Sequence, residues 1–155
     1  MDGRMCRGAL ALVFAGLAAG SALAQPAPEH RQVAGLEAAA EIRTDHWGVA
    51  HIYAGSVRDA FFLQGYNVAQ DRLWQVDLWR KRGLGLLARD FGESYAAQDR
   101  AARLFLYRGD MDAEWAAYGP NAKAYAEAFV AGLNAYVAEI DSGQRDGLTT
   151  AERER

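Results

Sequence analysis

The stretch from Ser56 to Arg82 constrains this chain more than any other. Phe62, Tyr66, Ala69, Leu73 and Val76 recur at steps of four, three, four and three, the period of one face of an α-helix. Phe61, Val68 and Trp79 form a second apolar row that widens this face. Ser56 followed by Asp59 supplies a helix start, with a carboxylate near the free N–H groups of the first turn. Arg80-Lys81-Arg82 and then Gly83 supply the stop, cations at the negative end before a residue that tolerates positive φ. In the middle stand three polar residues, Gln70, Asp71 and Arg72. Asp71 and Arg72 point about 100° apart on a helix, so they need not pair with each other. Two readings stand. One is a solvated edge of the helix. The other is a buried network, with Asp71 accepting from a basic or backbone donor and Arg72 reaching a carboxylate such as Asp45.

The start of the chain has a different character. Arg4 and Arg7 precede an apolar run from Ala9 to Ala19, and Ser21-Ala22-Leu23-Ala24 then places small residues where a signal peptidase reads. Residues 1–24 therefore read as a signal peptide cleaved after Ala24, with an uncleaved anchor as the competing reading. Met5 serves as well as Met1 for the first residue. The run is too short for a spanning helix, so the mature chain is expected to be exported, periplasmic or secreted, without a membrane partner. Cleavage removes one acidic and two basic residues from totals of 20 and 17, leaving a net charge of about −4. No basic face survives that balance, which argues against nucleic acid. Cys6, the one cysteine, leaves with the leader, so the mature chain holds together without disulfides or cysteine-bound metal.

Residues 25–40, with two of the three prolines, read as a mobile lead-in that drifts towards structure from Leu36. Glu41–Thr44 and Val49–Tyr53 flank Asp45-His46-Trp47-Gly48, the pattern of a β-hairpin with an Asp…Gly loop. Alternation puts Val49, His51 and Tyr53 on one face, Ala50 and Ile52 on the other. A two-stranded hairpin is marginal alone, so further strands are expected from elsewhere. After the long helix, Leu86–Phe91 reads as a short helix. Ser94–Arg108 reads as another, with Ala97, Ala101, Leu104 and Phe105 inward, Asp99, Arg100 and Arg103 outward, and Ser94 as its cap. Asp110–Tyr118 is a shorter piece, and Gly119-Pro120 places proline at a first-turn position before a second strong helix, Asn121–Ile140. Tyr125, Phe129, Gly132, Leu133, Tyr136 and Ile140 line one side of that helix, and Gly132 predicts close packing on the first. Residues 41–140 form the domain, and 141–155 a polar tail.

Few residues offer chemistry. His46 and His51 lie on either side of the turn beside Asp45, but their spacing matches no helical metal pair. His51 reads as a hydrogen-bonded histidine and His46 as a turn residue. Ser56 and Ser94 read as caps, and no serine sits in a nucleophile elbow or a Ser-x-x-Lys arrangement. No catalytic, cofactor-binding or metal-binding residue is assigned from the pattern alone.

The hairpin text from Glu41 to Ala54 resembles the opening of the penicillin acylase family, E-I-x-R-D-x-x-G-V-P-H-I-x-A, through Asp45, Gly48 and His51. Gly65-Tyr66 with Ala69-Gln70-Asp71-Arg72-Leu73-Trp74-Gln75 is similar to that family's G-Y-x-x-A-Q-D-R-L-x-Q segment, and Gly132-Leu133-Asn134-Ala135-Tyr136 to its G-x-N-A-[YW]. Ala50 replaces the usual proline and Thr44 the usual arginine. The matched blocks span about Glu41 to Val137, and the text from Asp141 shares no motif with the family. The resemblance implies an α+β chain: an N-terminal hairpin followed by helices, part of the αββα fold of N-terminal nucleophile hydrolases. It implies an exported precursor that cuts itself into α and β chains, the new N-terminal serine attacking an N-acyl amide with its own amine as base. The substrates would be β-lactam side chains, acylated peptides or acyl-homoserine lactones, and calcium would belong to the complete enzyme. Asp45, Gly48, His51, Gln70, Asp71 and Arg72 would be scaffold. The serine, the acyl-pocket wall and the calcium ligands fall outside the matched blocks. The chain thus reads as the front of an acylase α chain, truncated or frame-shifted, inactive without its β chain. The rival readings are an exported helical binding module and a small metal enzyme using His46 and His51.

Overall fold

A computed structural model describes residue 30 and residues 32–144, and the compact unit that begins at Gln32 holds every element that follows. The order is β1 (Glu41–Thr44), β2 (Ala50–Tyr53), α1 (Val57–Leu84), α2 (Leu87–Phe91), a 3-10 turn (Glu93–Tyr95), α3 (Ala96–Leu104), α4 (Met111–Ala117) and α5 (Ala122–Asp141). The architecture is α+β. β1 and β2 pair antiparallel, Glu41 opposite Tyr53 and Thr44 opposite Ala50, the only sheet among the described residues. Ala50 and Ile52 face inward and His51 and Tyr53 outward, as alternation requires.

Helix α1 starts where the sequence places it. The Ser56 hydroxyl accepts from the Asp59 N–H at 3.0 Å. Its end lies two residues beyond expectation: Gly83 is helical, and Gly85, at φ +65°, takes the left-handed position. The Gly85 and Leu86 N–H groups close on the carbonyls of Arg82 and Lys81, the paired arrangement that satisfies the last turn. The core forms where the first half of α1 crosses α5. Phe62, Leu63, Tyr66 and Ala69 are buried from one side, Ala128 and Tyr136 from the other. Tyr66 and Tyr136 meet edge to face at 5.4 Å, and Phe61 stacks on Tyr125 at 4.8 Å. Gly132 packs as expected, and Gly65 answers it. A Cβ on Gly132 would stand 1.8 Å from the Phe62 carbonyl oxygen, and one on Gly65 1.9 Å from that of Phe129. Backbone touches backbone.

Five expectations are corrected. Trp79 is 58 % exposed, so the apolar face of α1 does not stay buried along its length. Arg72 leaves helical geometry at φ −150°, ψ 41°, and the register of the first half does not carry past this kink. Helix α3 ends at Leu104 and turns the other way about its axis: Asp99 is 5 % exposed, while Leu104 and Phe105 are 74 % and 88 % exposed. The cause lies in α2, whose first N–H groups need acceptors. The Asp99 carboxylate takes those of Leu87 and Ala88 at 3.0 and 2.8 Å. Arg103 turns back to the Gly85 carbonyl at 2.7 Å. Ser94 caps nothing, and Pro120 stands in the turn before α5 rather than in its first turn.

Gly132→Ala should cost about 3 kcal/mol or more, because the added methyl meets a carbonyl that cannot move without parting the helices. Thermal unfolding followed by circular dichroism should drop by about 10 °C. Gly83→Ala, a helical site with nothing near its absent Cβ, should instead gain up to about 1 kcal/mol. Equal melting of Gly132→Ala and the parent would contradict the close approach.

Candidate functional site

Three groups of polar side chains among the described residues bear on a candidate site. The first is the hairpin loop. Gly48, at φ +83°, closes the turn by donating its N–H to the Asp45 carbonyl at 3.0 Å. Asp45 Oδ1 accepts from the N–H groups of Trp47 and Val49, each at 2.9 Å, and Oδ2 lies 3.1 Å from His51 Nε2. The His51 hydrogen bond, with the backbone donors beside it, holds the Asp45 carboxyl below the usual aspartate range. Asp45, Gly48 and His51 thus form one local unit whose product is loop shape. His46 lies against Trp47 outside it, ring centres 3.5 Å apart and planes tilted by 40°.

The second place is Gln70-Asp71-Arg72. All three are exposed, and no side-chain hydrogen bond or ion pair joins them to another described residue. The buried network is therefore not formed. Arg72 does not reach Asp45, and the polar trio is a solvated edge at the kink.

The third is a set of buried carboxylates that sequence reading placed elsewhere or passed over. Asp59 is fully buried, and its oxygens accept from the backbone N–H groups of Glu37 and Ala38 at 3.0 and 3.2 Å. Asp99 serves α2 as described. Glu139 receives the Tyr66 hydroxyl at 2.8 Å across the α1–α5 interface. A signal for two of them was present: Asp59 stands three residues before Phe62, and Glu139 three after Tyr136, both on the core-facing stripe. All three carboxylates are committed to protein donors. Among the described residues no group of three or more His, Cys, Asp or Glu side chains converges on a common point. These residues do not fit a calcium ion, and no step is assigned to one.

The arrangement can hold shape; it does not assemble a nucleophile. The Ser56 hydroxyl caps α1, and that of Ser142 donates to the Glu139 carbonyl at 3.0 Å. No described serine is hydrogen bonded to a histidine or a lysine, and the ring nitrogen His51 uses goes to Asp45. Residues 1–24 and 145–155, the expected leader and the end of the polar tail, lie outside the described residues.

An α+β unit of hairpin, long kinked helix and crossing helix, with glycines at the crossing, matches known proteins over this same region. The penicillin amidase family profile matches residues 39–152, which reaches past Asp141 into the stretch without shared motifs. Penicillin acylase 2 proenzyme of Pseudomonas sp. (strain SE83) is 36 % identical over 106 residues, 68 % of this chain and 14 % of that protein. Penicillin G acylase of Escherichia coli is 29 % identical over 66 % of this chain and 12 % of its own length. An acyl-homoserine lactone acylase of Pseudomonas fluorescens is 31 % identical over 66 % of this chain and 13 % of its own. The fold superposes on a thermostable penicillin G acylase from Alcaligenes faecalis with a TM-score of 0.64 and 26 % identity, covering 75 % of this chain and 61 % of that one. The chain belongs to the penicillin amidase family. It spans about a seventh of the length of the curated relatives it matches.

Two outcomes follow for the motif residues. Asp71→Asn and Arg72→Gln should each leave the stability of this chain within about 0.5 kcal/mol, measured by urea unfolding. Asp45 behaves oppositely. Its folded-state pKa is lowered, so its contribution is full above the unfolded value of about 3.9 and is lost as pH falls through the folded one. The protection of the Trp47 and Val49 amides, taken relative to their intrinsic exchange rates, should fall over that acid range and, in Asp45→Ala, already at neutral pH. Unchanged protection in the variant would show that the loop does not depend on the carboxylate.

Proposed function

We propose that this chain is the N-terminal scaffold portion of the α chain of an exported acylase, an enzyme that hydrolyses N-acyl amide bonds. The observation that carries the reading is the ordered match of hairpin, α1 and α5 to penicillin acylases, in a unit whose described residues pair no nucleophile with a base. The nucleophile would come from the β chain of the same precursor. Its N-terminal serine would lose its proton to its own α-amino group while attacking the acyl carbonyl, and the acyl-enzyme would then be hydrolysed. Backbone or amide donors would hold the oxyanion. This chain would help to set the position of that β chain through the α1–α5 crossing.

The names of its relatives suggest the substrate class: a penicillin or an acyl-homoserine lactone, both N-acylated amines. The word proenzyme in one of those names favours a precursor that yields a partner chain. Export to the periplasm or medium is supported by the leader-like residues 1–24. No helix of the described residues is long and apolar enough to cross a membrane. Calcium, where the complete enzyme uses it, would need ligands outside the described residues.

The test compares the chain alone with the same chain co-expressed with a family β chain, each given penicillin G and an N-acyl-homoserine lactone, with released acid read by mass spectrometry. The chain alone should release none. The pair should release acid, and replacing the β-chain N-terminal serine by alanine should abolish it. Acid release by the chain alone, above a leader-only control, would refute the scaffold reading. A monodisperse chain that neither binds nor activates any β chain would favour an exported binding module instead.

A further inference from the structure

Two shallow hollows lie side by side between the C-terminal half of α1 and the α2–α3 segment. The first, about 420 Å³, is walled by Trp74, Leu87, Phe91 and Tyr95. The second, about 430 Å³, is walled by Trp79, Ala101 and Phe105. Arg82 and Gln98 line both, so the hollows form one groove with a polar saddle between two apolar ends. The aromatic wall is pre-arranged: Phe91 sits 6.0 Å from Trp74 and 5.8 Å from Tyr95, ring centre to ring centre. Neighbouring cations are spoken for, Arg80 by Asp77 at 2.7 Å and Lys81 by Asp77 and Asp90 at 2.6 and 2.5 Å. Arg82 is not. Its guanidinium lies 4.9 Å from the Trp79 ring centre, and no described carboxylate pairs with it. Stacking on an indole and closeness to a helix C-terminus explain why an arginine stands there. Neither uses its N–H fork, which matches a carboxylate.

We propose that this groove docks a partner polypeptide through a segment in which one acidic side chain stands between two large apolar ones. The apolar side chains fill the hollows, and the carboxylate meets Arg82 on the saddle, with the Gln98 amide as second donor. The cation at the middle of the groove, not at an end, selects this pattern. A fatty or aryl acid carries its carboxylate at one tip and could occupy only one hollow. A purely apolar segment would bury the guanidinium unpaired, which is costly.

The test uses the whole chain and a fluorescein-labelled peptide, Ser-Phe-Gly-Glu-Gly-Phe-Ser, beside its glutamine counterpart, read by fluorescence anisotropy. The glutamate peptide should bind about tenfold more tightly than the glutamine one. Arg82→Gln should erase that preference while leaving the far-ultraviolet circular dichroism spectrum unchanged. Equal affinity of the two peptides for the parent chain overturns the proposal, as does no binding of either at about 1 mM. Displacement of the glutamate peptide by octanoate at equal concentration overturns it too, pointing to a small-acid site. Should the variant misfold, the peptide pair on the parent chain still decides. None of these readouts depends on acylase activity, so the proposed function and the docking groove can fail separately.

Discussion

The close approach of α1 and α5 at Gly65 and Gly132 is the constraint on which the rest of the described structure depends. Two helices approach until the backbone of each occupies the space a side chain would take on the other. Such an approach brings Tyr66 onto Tyr136 and within reach of Glu139, places Phe61 on Tyr125, and buries Phe62 and Ala69. Dispersion between close surfaces falls steeply with separation, so a gap of even half an ångström here would weaken every one of those contacts together. The hairpin stands N-terminal to this crossing and the α2–α3 segment C-terminal to it, so both hang on α1.

Buried carboxylates do the second part of the work. Asp59 holds the backbone at Glu37 and Ala38, Asp99 holds the first turn of α2, and Glu139 accepts the Tyr66 hydroxyl. Each accepts from donors on another segment of the chain. In a family of hydrolases it is tempting to read buried acids as catalytic. Here they fasten segments to one another, which is the role expected of a scaffold portion.

Much of the fold was legible in the sequence because the signals were local. The Asp45…Gly48 loop, the Ser56 cap, the period of α1 as far as Ala69 and the mid-helix Gly132 could each be read from neighbouring residues, and the structure agrees at all of them. The failures came where one element answers the needs of another. The pattern of α3 favours Ala97, Ala101 and Leu104 inward, and the N–H groups of Leu87 and Ala88 override it by drawing in Asp99. The exposure of Gln70, Asp71 and Arg72 was undecidable from the period, because periodicity assumes unbroken helical dihedrals and Arg72 breaks them. Of the candidate site, the Asp45–Gly48–His51 unit was readable from turn chemistry. Asp59 has the place of a first-turn carboxylate, and its partners at Glu37 and Ala38, like that of Glu139 at Tyr66, belong to other segments that the local pattern does not reveal.

The kink at Arg72 makes α1 two levers on one hinge. Upstream of it, a single inserted residue would rotate Gly65 by about 100° away from Gly132 and dismantle the crossing. Downstream, the same insertion would spare that crossing and re-aim the α2–α3 segment, while shifting Leu73 against the core and the residues that face Leu133 and Val137 of α5. Every buried residue of α1 lies before the kink. The near half thus fixes the helix pair, and the far half sets where the α2–α3 segment points.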